Sequence, residues 1–589
     1  MQTIPQLQNL REDESFFSTL KAFVANILRE EYDLALEPES IEITRTQDDK
    51  FGDLTTNVAL RYAKELQVQP REIAQKIVAG IAEVHGIIHK AEIAGPGFIN
   101  FYFNPAWLAG LLPSILTSSR PYGSHGAVNG QVMVEFGQPN THKAVTVGHV
   151  KSWIAGLCVC RMLENIGYKV IQANYFGDVG LHTAKSTWAF LKRGKPEGFD
   201  NWNVADQMKY IAEGYVYGNK QYTEDETARE EIKQINKKIY AKSDPELYMT
   251  YLYLKELSIR HQEEVENMLG VDYHRQYPES EVADSGVEVI KNNIGKVFTE
   301  DQGAVIFEGE KYGLNRWVFL TSEGLPSYSG KDMGLAFKKY HEYPNTSIFL
   351  HMTSVEQNDY FKALFKAVEL VEPELTGKYF HLGFGWLLMN NKKFSSRLGN
   401  APSGIDVIEE TISYSEQKIS ETKTYSEEET KHIAHIVGIA GLKFLILSHE
   451  FHKDSNYDPD QFLDPEGFSG PYIMYAYVRT QSILKQEESI VHAGETSQDY
   501  EPNGIELRLL KELAFFPQVT FDAAKTISPH KIAHYLFYLA QLFNQFYREN
   551  KVITDDQAMK TFRLQLTQSI GTVLNTGMYL LGIETINRM

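Results

Sequence analysis

EFGQPNTHKAVTVGHVKS, running from Glu135 to Ser152, decides the fold. The run VMVEF (132–136) overlaps its start and, Glu135 apart, is apolar, as in a strand covered on both faces. KVIQA (169–173) is a second such run, and between the two Val150, Ile154, Leu157 and Cys158 mark one face of a helix over roughly 147–165. Strand, crossover helix and strand form the βαβ unit of a parallel sheet. The quoted stretch therefore leaves the carboxyl end of a strand, crosses a polar loop and enters a helix, which is where open parallel sheets bind ligands. Thr146-Val147-Gly148-His149 stands at the helix start, where free backbone N–H groups and the dipole favour phosphate. Gly148 leaves room for a flat base to approach the backbone, His149 can donate to phosphate oxygens, and Lys143 adds a charge before the turn. The plainer reading of the same residues is a helix start with a capping threonine and a surface histidine.

A second segment, KKFSSRLGN from Lys392 to Asn400, combines cationic side chains, the hydroxyls of Ser395 and Ser396, and a glycine. Such a loop suits a pyrophosphate clamp, with Lys393 supplying charge. Alone, it reads better as a solvated basic loop.

Outward from these two segments the chain divides into three regions. The first hundred or so residues read as a small α/β unit. Phe16, Leu20, Phe23, Val24, Ile27 and Leu28 recur at helical spacing, Ile41 and Ile43 alternate as in a strand, helical stretches follow at about 54–67 and 71–81, and FINFYF closes the unit. Residues 117–130, rich in Ser, Gly and Pro, read as a linker between a 1–116 domain and a 131–427 domain. Within the latter, VIFEG (305–309), RWVFLTS (316–322) and SIFLHM (347–352) are strand-like, and the polar stretch of about 190–285 reads as a helical insertion. From 428 to 589 the pattern is helical, with helices expected near 428–450, 470–487, 504–516, 530–549 and 555–580.

The 589 residues carry 58 Lys and Arg against 77 Asp and Glu, a formal charge of −19. That disfavours non-specific nucleic-acid binding without excluding local basic surfaces. The two cysteines, Cys158 and Cys160, cannot build a disulfide framework and read as small buried hydrophobes. No ligand spacing encodes a metal site. The longest apolar stretch, Ile436 to Leu447, is too short for a bilayer, and the N-terminus has no secretory pattern. A cytoplasmic protein without membrane association is expected.

Together and in order, TVGH (146–149) and KFSSR (393–397) resemble the HIGH and KMSKS signatures of class I aminoacyl-tRNA synthetases. The surroundings resemble the arginyl-tRNA synthetases: EFGQPNTHK matches the family's E-F-S-S-P-N-x-x-K, GLCVCRMLENIGYKVIQANYFGDVG its continuation to a GDWG turn, and KFSSRLGN its KMSTRKGN. FGDLTTNVALRYAKELQVQPREIAQKI with IAGPGFINF is similar to that family's N-terminal domain, which contacts the tRNA elbow. GFSGPYIMYAYVRTQSIL (467–484) and the closing LLGIETINRM are similar to its anticodon-binding helices. The resemblance implies a Rossmann-like catalytic domain between a small α/β domain and an all-α anticodon-binding domain, acting as a monomer on L-arginine, ATP and the tRNA for arginine. Mg²⁺ would arrive with ATP. It implies an ATP site at Lys143, Thr146, Gly148, His149, Lys393, Ser395 and Ser396, and an arginine pocket at Glu135, Asn140, Tyr328, Asp332 and Gln357. It also implies tRNA contacts at Asn57, Tyr472, Tyr475 and Arg479.

The chain departs from the family pattern at several positions. Thr146 replaces the first histidine of the signature, Ser396 a lysine, and Val179 the tryptophan of the GDWG turn, and Lys331 stands where arginine is common. Three alternatives compete with the arginyl reading. A class I synthetase for another amino acid is disfavoured by two pocket carboxylates. A nucleotidyltransferase working without tRNA would not need the helical domain. A non-catalytic tRNA-binding paralogue would be expected to lose the pocket residues.

Overall fold

The computed structural model describes residues 4–10, 15–46, 48–84, 86–126, 128, 130–389, 403–422, 425–486 and 500–589. Its centre is a five-stranded parallel sheet of β1 (Gln131–Glu135), β2 (Lys169–Phe176), β3 (Arg275–Pro278), β4 (Thr346–Ser354) and β5 (Tyr379–Phe384), in the order β5-β4-β1-β2-β3. The chain builds outward from β1 to β3 on one side and returns through β4 to β5 on the other. The strand order therefore reverses between β1 and β4, which opens a crevice at their carboxyl ends.

Helix α1 (Val147–Asn165) follows β1, as expected from its periodicity. It is buried nearly all round, Cys158 and Cys160 included, because it lies between the sheet and the C-terminal helices. Helix α2 (Tyr328–Glu342) packs on the helix Glu279–Lys291 through glycines. A Cβ on Gly286 would sit 2.1 Å from the Gly330 carbonyl oxygen, and one on Gly334 would sit 2.2 Å from that of Val282. Only glycine permits so close a crossing, and the crossing fixes where α2 presents its charged face.

Two expectations are corrected here. The stretch 54–67 begins not as helix but as a strand, Leu54–Thr56, and the helix runs only over Val58–Leu66. The β-branched Thr55 and Thr56 favour the strand, and Thr56 also turns its hydroxyl onto the Glu42 carbonyl at 2.7 Å. The polar stretch of about 190–285 holds the helices Val204–Glu224, Glu226–Ala241 and Pro245–Leu269, but it also contains β3, the edge strand of the main sheet. The strand-like runs near 305 and 316 form a separate antiparallel sheet with Thr299–Asp301.

The C-terminal region is helical: α3 (Gly404–Thr422), α4 (Glu427–Leu447), α5 (Gly470–Lys485), α6 (Gly504–Lys525), α7 (Pro529–Glu549) and α8 (Gln557–Leu580). Helix α4 is longer than its apolar core suggests and could cross a membrane by length and composition, but 83% of its most apolar stretch is buried inside the protein. The strand Ser455–Tyr457, beyond α4, pairs in parallel with Leu387–Met389, so residues on either side of position 428 share a sheet.

The N-terminal sheet is antiparallel, with Ile43–Arg45, Leu54–Thr56, Phe98–Phe103 and Ile88–Ala94 side by side. It docks on α6. Phe515 packs against Phe16 and Phe103 at 5.9 and 5.8 Å, and the Arg45 guanidinium covers its ring at 4.6 Å while donating to Glu512. Lys511 pairs with Asp53 at 2.5 Å. The stretch 117–130 is likewise fastened rather than loose. The Tyr122 hydroxyl donates to the Leu513 carbonyl at 3.0 Å, and Thr520 donates to that of Gly123 at 2.7 Å. Truncating Phe515 should cost this interface about 3–5 kcal/mol. Phe515→Ala is therefore expected to give a separate, earlier unfolding transition of the N-terminal unit in calorimetry; a single unshifted transition would show that the contact does not hold the units together.

Candidate functional site

The chain leaves β1 through an unusual turn. Gly137 and Gln138 both have left-handed backbones, φ +88° and +60°. Glycine is required at the first position because a Cβ there would lie 2.3 Å from the Tyr273 hydroxyl. The turn is held by side chains: Ser152 Oγ accepts from the Gly137 N–H at 2.8 Å, and Asn174 Oδ1 accepts from the Gln138 N–H at 3.1 Å. Farther along, His142 is buried and stacked on Tyr251, and burial drops it to about 3, so it is a neutral structural ring.

At the start of α1 the Thr146 N–H donates to His149 Nδ1 at 2.9 Å. With Nδ1 an acceptor, the ring proton is assigned to Nε2. Desolvation, and then the nearby Lys143 ammonium, push His149 down to about 4. His149 is thus a neutral N–H donor at physiological pH, in a tautomer fixed by the backbone. Lys143 lies over the Tyr215 ring at 4.8 Å.

The turn at Gly137 and Gln138 and the start of α1 line a cleft of about 1130 Å³ at the carboxyl ends of β1, β4 and β5. Asn140, Thr146, Gly148, His149 and Gln357 all contribute to it, and Lys209 and Val216 of the helix Val204–Glu224 form the opposite wall. Lys393, Ser395 and Ser396 lie outside the described residues. The flanking residues Leu387 and Ser403 both line the cleft, and Ser403 pairs with Thr146 as an isolated bridge.

Glu135 and Asp332 are not among the cleft-lining residues. Glu135 is 2% exposed. Its Oε2 takes the Lys339 ammonium, and its Oε1 accepts from Gln138 Nε2 at 2.6 Å, with His351 Nδ1 at 3.4 Å. Burial alone would raise this carboxyl, but Lys339 and His351 outweigh it and hold Glu135 below its usual range. Glu279, also buried, pairs with Lys331. Among the described residues no lysine pairs with Asp332, and the Tyr360 hydroxyl donates to it. Desolvation, set against that bond and reinforced by the charges of Glu135 and Glu279, pushes it up to about 7. Asp178 of the GDVG turn caps the helix Glu279–Lys291, accepting from the Ser280 N–H at 2.8 Å and the Lys255 ammonium at 2.6 Å. Val179 fills a small apolar cluster with Ala184 and Trp188, so the missing tryptophan leaves a packed site. Among the described residues no cluster of His, Cys, Asp or Glu is placed to hold a metal.

Three family models match the chain in order: "Arginyl tRNA synthetase N terminal domain" over residues 18–103, "tRNA synthetases class I (R), catalytic domain" over 111–458, and "DALR anticodon binding domain" over 473–589. The chain belongs to the class I arginyl-tRNA synthetase family. The arginine–tRNA ligase of Fusobacterium nucleatum is 28% identical over 572 residues, covering 94% of this chain and 96% of that protein. That of Bacteroides thetaiotaomicron is 27% identical over 598 residues, covering 97% and 99%. The fold is that of the Thermus thermophilus arginyl-tRNA synthetase, with a TM-score of 0.80 at 23% identity over 98% of this chain and 100% of that one. The Plasmodium falciparum arginyl-tRNA synthetase gives 0.78 at 20% identity, with the same coverage.

The remaining family-implied positions fall in different settings. Tyr328 is 68% exposed at the start of α2, with the Lys331 ammonium 4.9 Å from its ring centroid. The Asn140 amide is packed on Gly177, where a Cβ would come within 2.1 Å of its oxygen. On α5, Tyr472 is half-buried against Phe537, whereas Arg479 lies between the exposed rings of Tyr475 and Tyr547 at 4.8 and 4.9 Å. Asn57 turns its side-chain oxygen inward at the start of the helix Val58–Leu66. Reading the sequence missed Lys339, Tyr360 and Gln138, none of which carries a motif of its own. Lys339→Met would leave the Glu135 carboxylate buried without its cation, at a cost of about 3–5 kcal/mol. The single variant should melt well below the parent, and adding Glu135→Gln should restore much of the loss. Equal melting of the single and double variants would exclude the ion pair as the cause.

Proposed function

We propose that the protein is an arginine–tRNA ligase that activates L-arginine with ATP and transfers it to the 3′-terminal adenosine of the tRNA for arginine. The observation that carries the choice of amino acid is the charge balance around Asp332. Asp332 feels the charges of Glu135 and Glu279, each of which is paired with a buried lysine, whereas among the described residues no lysine pairs with Asp332. One uncompensated acid calls for a ligand with one positive charge, and a guanidinium answers a carboxylate with paired N–H donors. An acidic amino acid would meet repulsion there.

In this reading the arginine carboxylate attacks the α-phosphorus of ATP. The α–β P–O bond breaks, pyrophosphate leaves, and arginyl-adenylate remains. The His149 Nε2–H, the Lys143 ammonium and the free N–H groups at the start of α1 face the charge that builds on phosphate, and Lys393, Ser395 and Ser396 serve the departing pyrophosphate. Gly148 leaves space for the base. Mg²⁺ enters with ATP as part of the substrate. A ribose hydroxyl of the terminal adenosine then attacks the acyl carbonyl and AMP departs. Asn140, Tyr328 and Gln357 orient the amino acid. Arg479 and Tyr475 are the better tRNA contacts, since Tyr472 and Asn57 are turned partly inward. The protein would work as a monomer in the cytoplasm. Pyrophosphate exchange with each of the twenty amino acids, with and without tRNA, tests the reading: arginine alone should support it, and preference for any other amino acid would overturn it.

A guanidinium binds the ionised form of Asp332, whose carboxyl titrates at about 7 in the empty pocket. Arginine binding should therefore release a proton and weaken as pH falls, by about tenfold between about pH 8 and pH 6. Calorimetric Kd values across that range should show this slope in the parent and lose it in Asp332→Asn. A flat parent profile would mean that Asp332 is not the answering charge.

Stacking of an unpaired base on the Tyr475–Arg479–Tyr547 group should contribute about 1–3 kcal/mol. Arg479→Ala is expected to raise KM for tRNA about tenfold and leave KM for arginine unchanged. Normal tRNA kinetics in a variant that merely melts earlier would assign Arg479 to structure.

A further inference from the structure

Gln138 is a glutamine where the family pattern has serine, and it adopts a left-handed backbone, φ +60°, that glycine would adopt without strain. Its main chain is held independently of its side chain, because the Asn174 side chain accepts the Gln138 N–H. The side chain does something else. It lines the cleft and turns its amide onto Glu135 Oε1 at 2.6 Å, while Lys339 holds the other oxygen. Glu135, 2% exposed, thus meets the cleft through Gln138.

A primary amide on a carboxylate oxygen is a neutral copy of one arm of a guanidinium: a planar nitrogen offering N–H in the same direction. Without it, Oε1 of a buried carboxylate would lose its short hydrogen bond, which is costly. A charged donor makes the stronger bond to the same oxygen, so exchange of amide for guanidinium is favourable. We propose that Gln138 is an internal surrogate for the substrate guanidinium, holding Glu135 Oε1 in the empty pocket and giving it up when arginine arrives. The surrogate keeps the carboxylate satisfied and the pocket ordered, and it sets the affinity for arginine by competing for one oxygen. The inference rests on the arginine-pocket reading above.

The test is arginine-dependent pyrophosphate exchange, with tRNA present, in Gln138→Ala and Gln138→Gly. The glycine variant is at ease at φ +60° and guards against misfolding. Removing a competitor that occupies the site most of the time should lower KM for arginine about three- to tenfold in both variants, with KM for ATP as the unmoved reference. Calorimetric Kd values for arginine should fall in parallel. An unchanged KM for arginine would overturn the surrogate role, and a raised one would make Gln138 a direct ligand instead. In both cases parent turnover of arginine leaves the pocket reading standing. A parent that activates another amino acid and not arginine would remove both.

Discussion

A carboxylate at 2% exposure can remain ionised only if a cation is buried with it, and for Glu135 that cation is Lys339. This one pairing ties the end of the central strand to helix α2. His351, the in-register neighbour of Glu135 on β4, closes the group from the sheet side. The elements that frame the crevice are therefore held by a shared charge as well as by apolar packing. The position of α2 then decides everything it carries: Lys331 reaches Glu279, and Asp332 is left to the hydroxyl of Tyr360. The glycine contacts between α2 and the helix Glu279–Lys291 serve the same end, since a wider crossing would pull Lys331 and Glu279 apart.

The same arrangement reconciles a chain of net charge −19 with a site for phosphate and nucleic acid. Local sign matters more than the total. The buried acids Glu135 and Glu279 are paired with buried lysines, while the turn before α1 offers a neutral histidine, a lysine and a helix N-terminus. His149 contributes direction rather than charge. Its tautomer is set by the Thr146 N–H, and the Thr146 hydroxyl lies 3.2 Å from the same nitrogen. A threonine in place of the first signature histidine thus does two things at once: it starts the helix and orients the histidine that remains.

Much of this was legible in the sequence. Helix α1 and the C-terminal helices follow from apolar periodicity, because each buries a stripe against a neighbour, and the turn between β1 and α1 follows from strand, loop and helix in succession. The failures have physical causes. Leu54–Thr56 continues an apolar pattern into the next helix, and three residues of strand are too few to reveal their own period. β3 is short, and its Arg275 and Gln276 hide it within a polar stretch. Lys338 and Lys339 look alike in the sequence, yet Lys338 pairs with Glu281 and Glu342 on the surface while Lys339 lies buried on Glu135. Only the angle at which α2 crosses its neighbour separates them, and that angle depends on Gly330 and Gly334 of α2 meeting Gly286, about 50 residues away in the chain. Glu135 and Asp332 were both marked as pocket acids, but spacing could not tell that one of them already has its cation.

The burial of α1 on all sides bears on how the two ends of the molecule communicate. Its 19 residues span about 28 Å, from the turn at Thr146 to the contact with the C-terminal helices at Arg161. Arg161, near its far end, donates to the Tyr579 carbonyl at 2.7 Å and lies over that ring at 4.2 Å. The Lys443 ammonium of α4 gathers the Leu269 and Gly582 carbonyls at 2.8 and 2.5 Å, and Leu157 packs against Gly582. A close-packed helix carries a displacement along its length instead of absorbing it. Helix α1 thus connects the contact at Tyr579, itself 53% exposed, with Thr146 and His149 at its other end. At that end Thr146 is bridged to Ser403, the first described residue after the second signature segment. The TVGH segment and helices α6 and α8 of the C-terminal region are thus joined through α1.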